Sequence, residues 1–187
     1  VYSPPRVTAM AKRLSMLPGF ALDFTQLDPD DNMPWDFNNP EKAKKAKQLI
    51  KDKKALLLIG SPMCSAFSQL QNINFSKMTK DEVDKVMQYG KRHLETCIEL
   101  YEIQINQGLY FLHEHPWAAK SWNHEGIQKI LNRRGVCKVR GDMCTFGMTQ
   151  SDSEGTALIK KMTGFMTNSP EIAAQLNSQC TGGHRHI

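Results

Sequence analysis

The chain has 187 residues, 40% hydrophobic and 23% charged, enough for one globular domain with its own core. No apolar run reaches the ~18–20 residues of a membrane span, and the start lacks the basic, apolar, small-residue succession of a secretory signal. A net charge of +5 and a pI near 8.9 fit a nucleic-acid partner without requiring one, because much of the charge lies in Glu41–Lys54, which also reads as a solvated helix face.

In chain order, Val1-Tyr2 reads as the tail of a strand and Ser3-Pro4-Pro5 as a turn. Arg6 to Leu17 has helical spacing and is closed by Pro18-Gly19. Phe20 to Phe24 reads as a second strand with Asp23 near its end, and 28–39 as a polar loop holding Pro34-Trp35-Asp36-Phe37. A helix is expected over Pro40–Lys51 and a buried strand over Ala55–Ile59. Thr79 to Gln107 is a long amphipathic helix whose start is marked by the Thr79/Glu82 capping-box spacing. Tyr110-Phe111-Leu112 is a strand, Ile127–Asn132 a helix and Val136–Val139 a strand. Short strands at Ala157–Ile159 and Phe165–Thr167 and a helix over Pro170–Leu176 complete the chain. The alternation predicts a single α/β domain over 1–187 with a largely parallel sheet.

The chemistry concentrates in Gly60-Ser61-Pro62-Met63-Cys64-Ser65-Ala66-Phe67-Ser68. A thiol in a loop past a strand's carboxyl end stands where open α/β sheets bind ligands. The plain alternative for Cys64 is a small buried hydrophobe. Five cysteines, odd in number and without a CxxC pair, point to a reducing compartment, hence an intracellular chain, nuclear or cytoplasmic.

This segment resembles the catalytic loop of the cytosine-C5 DNA methyltransferases, Gly-x-Pro-Pro-Cys-Gln-x-Phe-Ser; Gly60, Pro62, Cys64, Phe67 and Ser68 match, while Met63 and Ser65 depart. Glu114 in His113-Glu114-His115-Pro116 resembles the family's Glu-Asn-Val at its Glu alone, and Phe146 to Gln150 resembles the start of a late Tyr-Gly-x-Pro-Gln segment. The resemblance covers about residues 1–150 and leaves 151–187 as a divergent end. It implies a Rossmann-like, S-adenosylmethionine-dependent methyltransferase fold with a largely parallel sheet flanked by helices. Cys64 would attack cytosine C6, and Glu114 would neutralise charge at N3 and the exocyclic amine.

By order along the chain, the methyl donor would meet Ser3, Pro4 and Pro5, the carboxylate of Asp23, Asp36 with Phe37, and Ser61 with Pro62. Asp23 reads equally as a turn residue and Asp36 as a helix N-cap. The family's Phe-x-Gly-x-Gly turn is missing. Ser151 to Glu154 stand where its Arg residues would support the reacting base, and there is no room for its target-recognition domain. The implied partner is nucleic acid, DNA ahead of RNA, with no membrane. Pro-Trp-Asp-Phe and Tyr-Phe-Leu-His-Glu-His-Pro also look like methyltransferase-like segments of retroelement polyproteins, which suits a chain that opens on Val. The competing expectations are a non-catalytic module binding nucleic acid or a protein, and a zinc-stabilised domain with a structural Cys64.

Cys180-Thr181-Gly182-Gly183-His184-Arg185-His186 is a separate constellation. Cys-x3-His-x-His offers three zinc ligands, with Cys144 or Cys137 as the fourth. His113 and His115 read as positioning or substrate-contacting groups, with metal binding as the alternative. Trp35, Trp117 and Trp122 read as covers of the core's edge, or as stacking surfaces for a base.

Overall fold

The computed structural model describes residues 1–68 and 71–187. Along the chain come α1 (Arg6–Arg13), α2 (Pro40–Lys53), β1 (Leu57–Gly60), α3 (Gln71–Phe75), α4 (Lys80–Asn106), β2 (Tyr110–Pro116), α5 (Glu125–Leu131), β3 (Cys137–Asp142), β4 (Thr149–Asp152), β5 (Gly155–Leu158), β6 (Met162–Thr167) and α6 (Pro170–Leu176). The four-stranded sheet has the order β1-β2-β6-β3, and β4 with β5 forms a separate hairpin.

The sheet is not largely parallel. Among the described strands of this sheet, only β1 and β2 pair in parallel; β6 runs antiparallel to both β2 and β3. β1, β2 and β3 therefore point one way and β6 the other. The reason lies between β3 and β6, where the chain makes a 3-10 turn and the β4–β5 hairpin. A parallel return needs a crossover, usually helical, and this excursion supplies none. The Rossmann-like, largely parallel architecture expected from the alternation is thereby corrected to a mixed sheet.

The expected strand at Phe20–Phe24 does not form. Leu22 is buried and its carbonyl accepts the Tyr2 N–H at 2.9 Å, but Asp23 turns the chain at once by accepting the N–H and hydroxyl of Thr25. Val1 bonds the edge of β1 on both sides, donating to the Ile59 carbonyl and accepting from the Ser61 N–H.

The core lies between the sheet and α4, where Leu94, Cys97, Leu100 and Tyr101 meet Leu58, Phe111 and Met166. α4 starts where the sequence predicts. Thr79 accepts the Glu82 N–H, and the Glu82 carboxylate accepts the Thr79 N–H at 2.8 Å, so two otherwise orphaned donors are satisfied. α2 buries Ala43, Ala46 and Ile50, and with them Lys42, so this Lys-rich helix is only partly a solvated face. Lys42 reaches Asp28 at 2.6 Å and Asp31 at 2.7 Å, Lys45 reaches Asp28 at 2.6 Å, and both cations lie over the Trp35 ring.

Two outcomes follow. Burial alone would raise the Asp28 pKa, but the bonds from Lys42 and Lys45 outweigh it and bring it down to about 2. A depressed carboxylate adds stability that is complete above its unfolded pKa, ~3.9, and fades as pH falls through the folded value. Urea unfolding of the wild type should therefore lose stability between about pH 4 and pH 2, and Asp28→Asn should show a weaker dependence in that window. At the end of β1, a Cβ on Gly60 would stand 2.1 Å from the Tyr101 hydroxyl. Gly60→Ala should lower unfolding free energy by about 1–3 kcal/mol, and by less in a Tyr101→Phe background, read by a double-mutant cycle in urea.

Candidate functional site

Because β1 and β2 are parallel, the chain leaves both at the same edge of the sheet. Past Gly60 it runs through Ser61, Pro62 and Met63 to Cys64, and then into a 3-10 turn over Ser65–Phe67. The turn closes when the Phe67 N–H donates to the Cys64 carbonyl at 2.9 Å. Ala66 and Phe67 are buried and dock on α4 at Gly90, where an added Cβ would lie 2.5 Å from that of Ala66. The loop is thus fixed behind Cys64, and Cys64 itself is half-buried.

The end of β2 faces this loop. Ser61–Ser65, Glu114, His115, Pro116 and Lys161 line one cavity of about 290 Å³. The two residues predicted as catalytic, Cys64 and Glu114, therefore meet there. The structure adds Lys161, from the turn into β6, whose Nζ lies 3.4 Å from Glu114 Oε1. Nothing in the local sequence singles out Lys161; only the antiparallel return of β6 carries it to this edge.

His113 and His115 point into the core. Tyr101 pairs with His113 Nδ1 at 2.9 Å and Ser121 with His115 Nδ1 at 2.5 Å, and the two imidazoles stack at 5.4 Å. Burial pushes His113 well below its ordinary range. Burial also lowers His115, to about 4, against the opposing pull of Glu114 and the carbonyls of Pro62 and Met63. Both rings are neutral at physiological pH.

The tryptophans are cover for the core's edge. Trp122 is buried with Nε1 donating to the Pro116 carbonyl at 2.8 Å, Trp35 is buried beneath Lys42, and Trp117 shares the Lys138 ammonium with Trp122. None of them lines the Cys64 cavity.

The strand tail expected at Val1-Tyr2 does not form; this segment is irregular, and residues assigned to a methyl donor lie around it. Ser61 bonds Val1, Tyr2 bonds Leu22 next to Asp23, and the Tyr2 ring meets Phe37 at 4.8 Å. Ser3, Pro4 and Pro5 follow directly, Pro4 and Pro5 exposed. Asp23 is a turn residue. Asp36 is one too, accepting the N–H and side-chain amide of Asn38; the helix cap is Asn39. Phe37 is buried in a core cluster with Leu22 and Trp35 and presents no open ring face.

Phe146 to Gln150 does not line the Cys64 cavity. It leads into the exposed β4–β5 hairpin, and Ser151 to Glu154 form the tip, where Arg185 pairs with Asp152 and Glu154.

Beside this hairpin is the second constellation. Cys144, Cys180, His184 and His186 bring one ligand atom each to within 4.8 Å of one another, an arrangement able to hold a metal ion. Cys180 Sγ lies 3.6 Å from His184 Nε2 and 3.5 Å from His186 Nε2. The fourth ligand is Cys144, in the 3-10 turn after β3; Cys137 is exposed on β3 and takes no part. Gly182 and Gly183 hold left-handed φ of 89° and 83°, which lets the chain double back between Cys180 and His184. Asp142, buried and bonded by Arg140, accepts the Cys180 N–H at 2.9 Å, and the Ile187 N–H reaches the Leu158 carbonyl. Asp142 is a second support that sequence spacing does not reveal.

Comparison with protein-family models, with curated proteins and with solved structures finds no match to this chain.

The metal cluster predicts that the purified chain retains one equivalent of a divalent ion through dialysis, measured by elemental analysis. Cys180→Ser and Cys144→Ser should each lose it. Metal content unchanged in both variants would show that the ion sits elsewhere.

Proposed function

We propose that the Cys64 cavity is a nucleophilic site of the cytosine-C5 methyltransferase kind, acting on nucleic acid, DNA ahead of RNA. The observation that carries this reading is the meeting of Cys64 and Glu114, remote in sequence, on one cavity wall. Cytosine is a poor electrophile at C6, and attack there drives negative charge onto the ring. Cys64, as thiolate, would form the bond to C6. Glu114 would face N3 and the exocyclic amine and offset the charge that builds there. After methylation at C5, transfer of the C5 proton to water would re-form the C5–C6 double bond and return the S–C6 electron pair to sulfur, restoring the thiolate. The base must be flipped out of a duplex or be single-stranded to enter the cavity.

S-adenosylmethionine would supply an electrophilic methyl group. The residues that would hold it are Ser3, Pro4, Pro5, Asp23, Asp36, Ser61 and Pro62. The closeness of several of them to the Val1-Tyr2 segment supports the assignment, as does the buried and unpartnered Asn38 Oδ1 beside Asp36. Asp23 and Asp36 use only Oδ1 in their own turns, so Oδ2 of each is the oxygen to offer a ribose or an amine. Phe37 does not fit a contact role. We further propose zinc as the ion of the Cys144, Cys180, His184 and His186 cluster, since two thiolates and two imidazoles without an open position form a structural zinc set.

The test uses DNA bearing 5-fluorocytosine, whose fluorine cannot leave as a proton does. With S-adenosylmethionine present, the wild type should form a denaturation-resistant adduct mapped to Cys64, and Cys64→Ala none. S-adenosylhomocysteine should bind in calorimetry and bind more weakly to Asp23→Ala. A folded chain that forms no adduct and binds no S-adenosylhomocysteine at millimolar concentration would overturn the enzyme reading and leave a non-catalytic module.

A further inference from the structure

His115 is 1% exposed, borders the Cys64 cavity, and has one ring nitrogen without a hydrogen bond. Ser121 Oγ occupies Nδ1 at 2.5 Å, so the free atom is Nε2. A buried imidazole nitrogen left unpaired is costly and calls for an acceptor or donor close by. What stands around it belongs to the nucleophile loop. The carbonyls of Pro62 and Met63, just before Cys64, both favour a proton on this ring, and the Phe67 ring, just after it, meets His115 at 6.0 Å in an edge-on geometry. His113 closes the other side of the ring, stacked at 5.4 Å, and Trp122 meets its edge at 6.4 Å. Turning the ring would break the Ser121 bond.

We propose that His115 is a positioning residue for the Cys64 loop: fixed by Ser121 and wedged against Phe67, it presents Nε2–H to the carbonyls of Pro62 and Met63 and sets where the thiol stands. The tautomer follows from the chemistry. In the tautomer this requires, Ser121 donates its hydroxyl to Nδ1 and the single ring proton is on Nε2, directed at the loop carbonyls of Pro62 and Met63. The loop is then held from both sides of Cys64, by His115 in front and by the packing of Ala66 on Gly90 behind. Glu114, the neighbouring residue of β2, is carried by the same strand, so the thiol and the carboxylate share one rigid support. The catalytic consequence rests on the reading of Cys64 as a nucleophile; the anchoring of the loop does not.

Two readouts separate these. The first is the rate of Cys64 alkylation by iodoacetamide, followed residue by residue in mass spectrometry, which needs no substrate. The second is adduct formation with 5-fluorocytosine DNA and S-adenosylmethionine. His115→Leu and Ser121→Ala should each speed alkylation of Cys64 several-fold as the loop loosens, and slow adduct formation by roughly 10- to 100-fold, the scale expected of a displaced reacting group. His115→Gln keeps an N–H donor near the Nε2 position and should restore most of both rates. Ser121→Ala leaves the imidazole in place, so the test survives if His115→Leu fails to fold, which circular dichroism melting will show. Alkylation and adduct formation unchanged in Ser121→Ala and His115→Leu would overturn the proposal while leaving the enzyme reading intact. Equal effects of Leu and Gln at 115 would also overturn it, reducing the ring to packing. If the wild type itself forms no adduct, the enzyme reading fails, and the alkylation rates alone decide whether His115 anchors the loop.

Discussion

The candidate site exists because β1 and β2 lie side by side in the same direction. Parallel strands release their chains at one edge, so Cys64, past β1, and Glu114, at the end of β2, face the same space. That pairing is secured from beneath by α4. Tyr101 reaches up to the end of β1 and approaches Gly60 so closely that only a residue without a side chain can stand there. The same hydroxyl bonds His113, and the ring stacks on Phe111 at 4.9 Å, so one buried side chain ties the helix to both strands. A buried ring of this size also excludes water from the sheet's underside, which makes its hydrogen bond to His113 count for more than the same bond at the surface.

The features legible in the sequence are the ones whose physics is local. The Thr79/Glu82 box declares itself within a few residues, whereas the cap read at Asp36 falls three residues on, at Asn39. Cys180, His184 and His186 declare themselves through ligand spacing. What the sequence leaves open is decided at long range. Whether Cys144 or Cys137 joins the three ligands depends on which end of β3 meets the carboxyl-terminal tail, and Asp142 settles it by gripping Cys180. The direction of β6 depends on the absence of a crossover helix after β3, which an apolar run cannot report. Phe20 to Phe24 has strand composition, but Asp23 prefers its own Thr25 to a ladder, a competition that periodicity does not register.

The two constellations are physically joined. Cys144 lies in the turn that Met143 begins, and the Met143 N–H donates to the Lys161 carbonyl at 3.0 Å. Lys161 in turn sends its ammonium to Glu114. The hairpin, the tail and the turn therefore form a clasp at one end of β6, with the Cys64 cavity just beyond. Residues 178–187 contribute no buried residue, so a metal ion held by this cluster, as proposed, would stand in for the core they lack.

Lys161 also answers a difficulty raised by the resemblance itself. The Arg residues that would support a reacting base are replaced by Ser151 to Glu154, which the structure puts on an exposed hairpin tip. A cation is nevertheless present in the cavity, delivered from the far end of the same excursion. Its pair with Glu114 is open, with side chains 46% and 28% exposed, and such pairs are held by about 1 kcal/mol or less. On the proposed reading, an entering base would exchange partners at that cost, taking the carboxylate for its ring nitrogen and amine and leaving the ammonium free to face developing charge. His115 contrasts with both, being buried and bonded. Around Cys64 the cavity thus sets a loose ion pair, Glu114 with Lys161, beside a buried imidazole bonded to Ser121, so the groups open to a ligand stand on a fixed frame, the arrangement the proposed nucleophilic site would need.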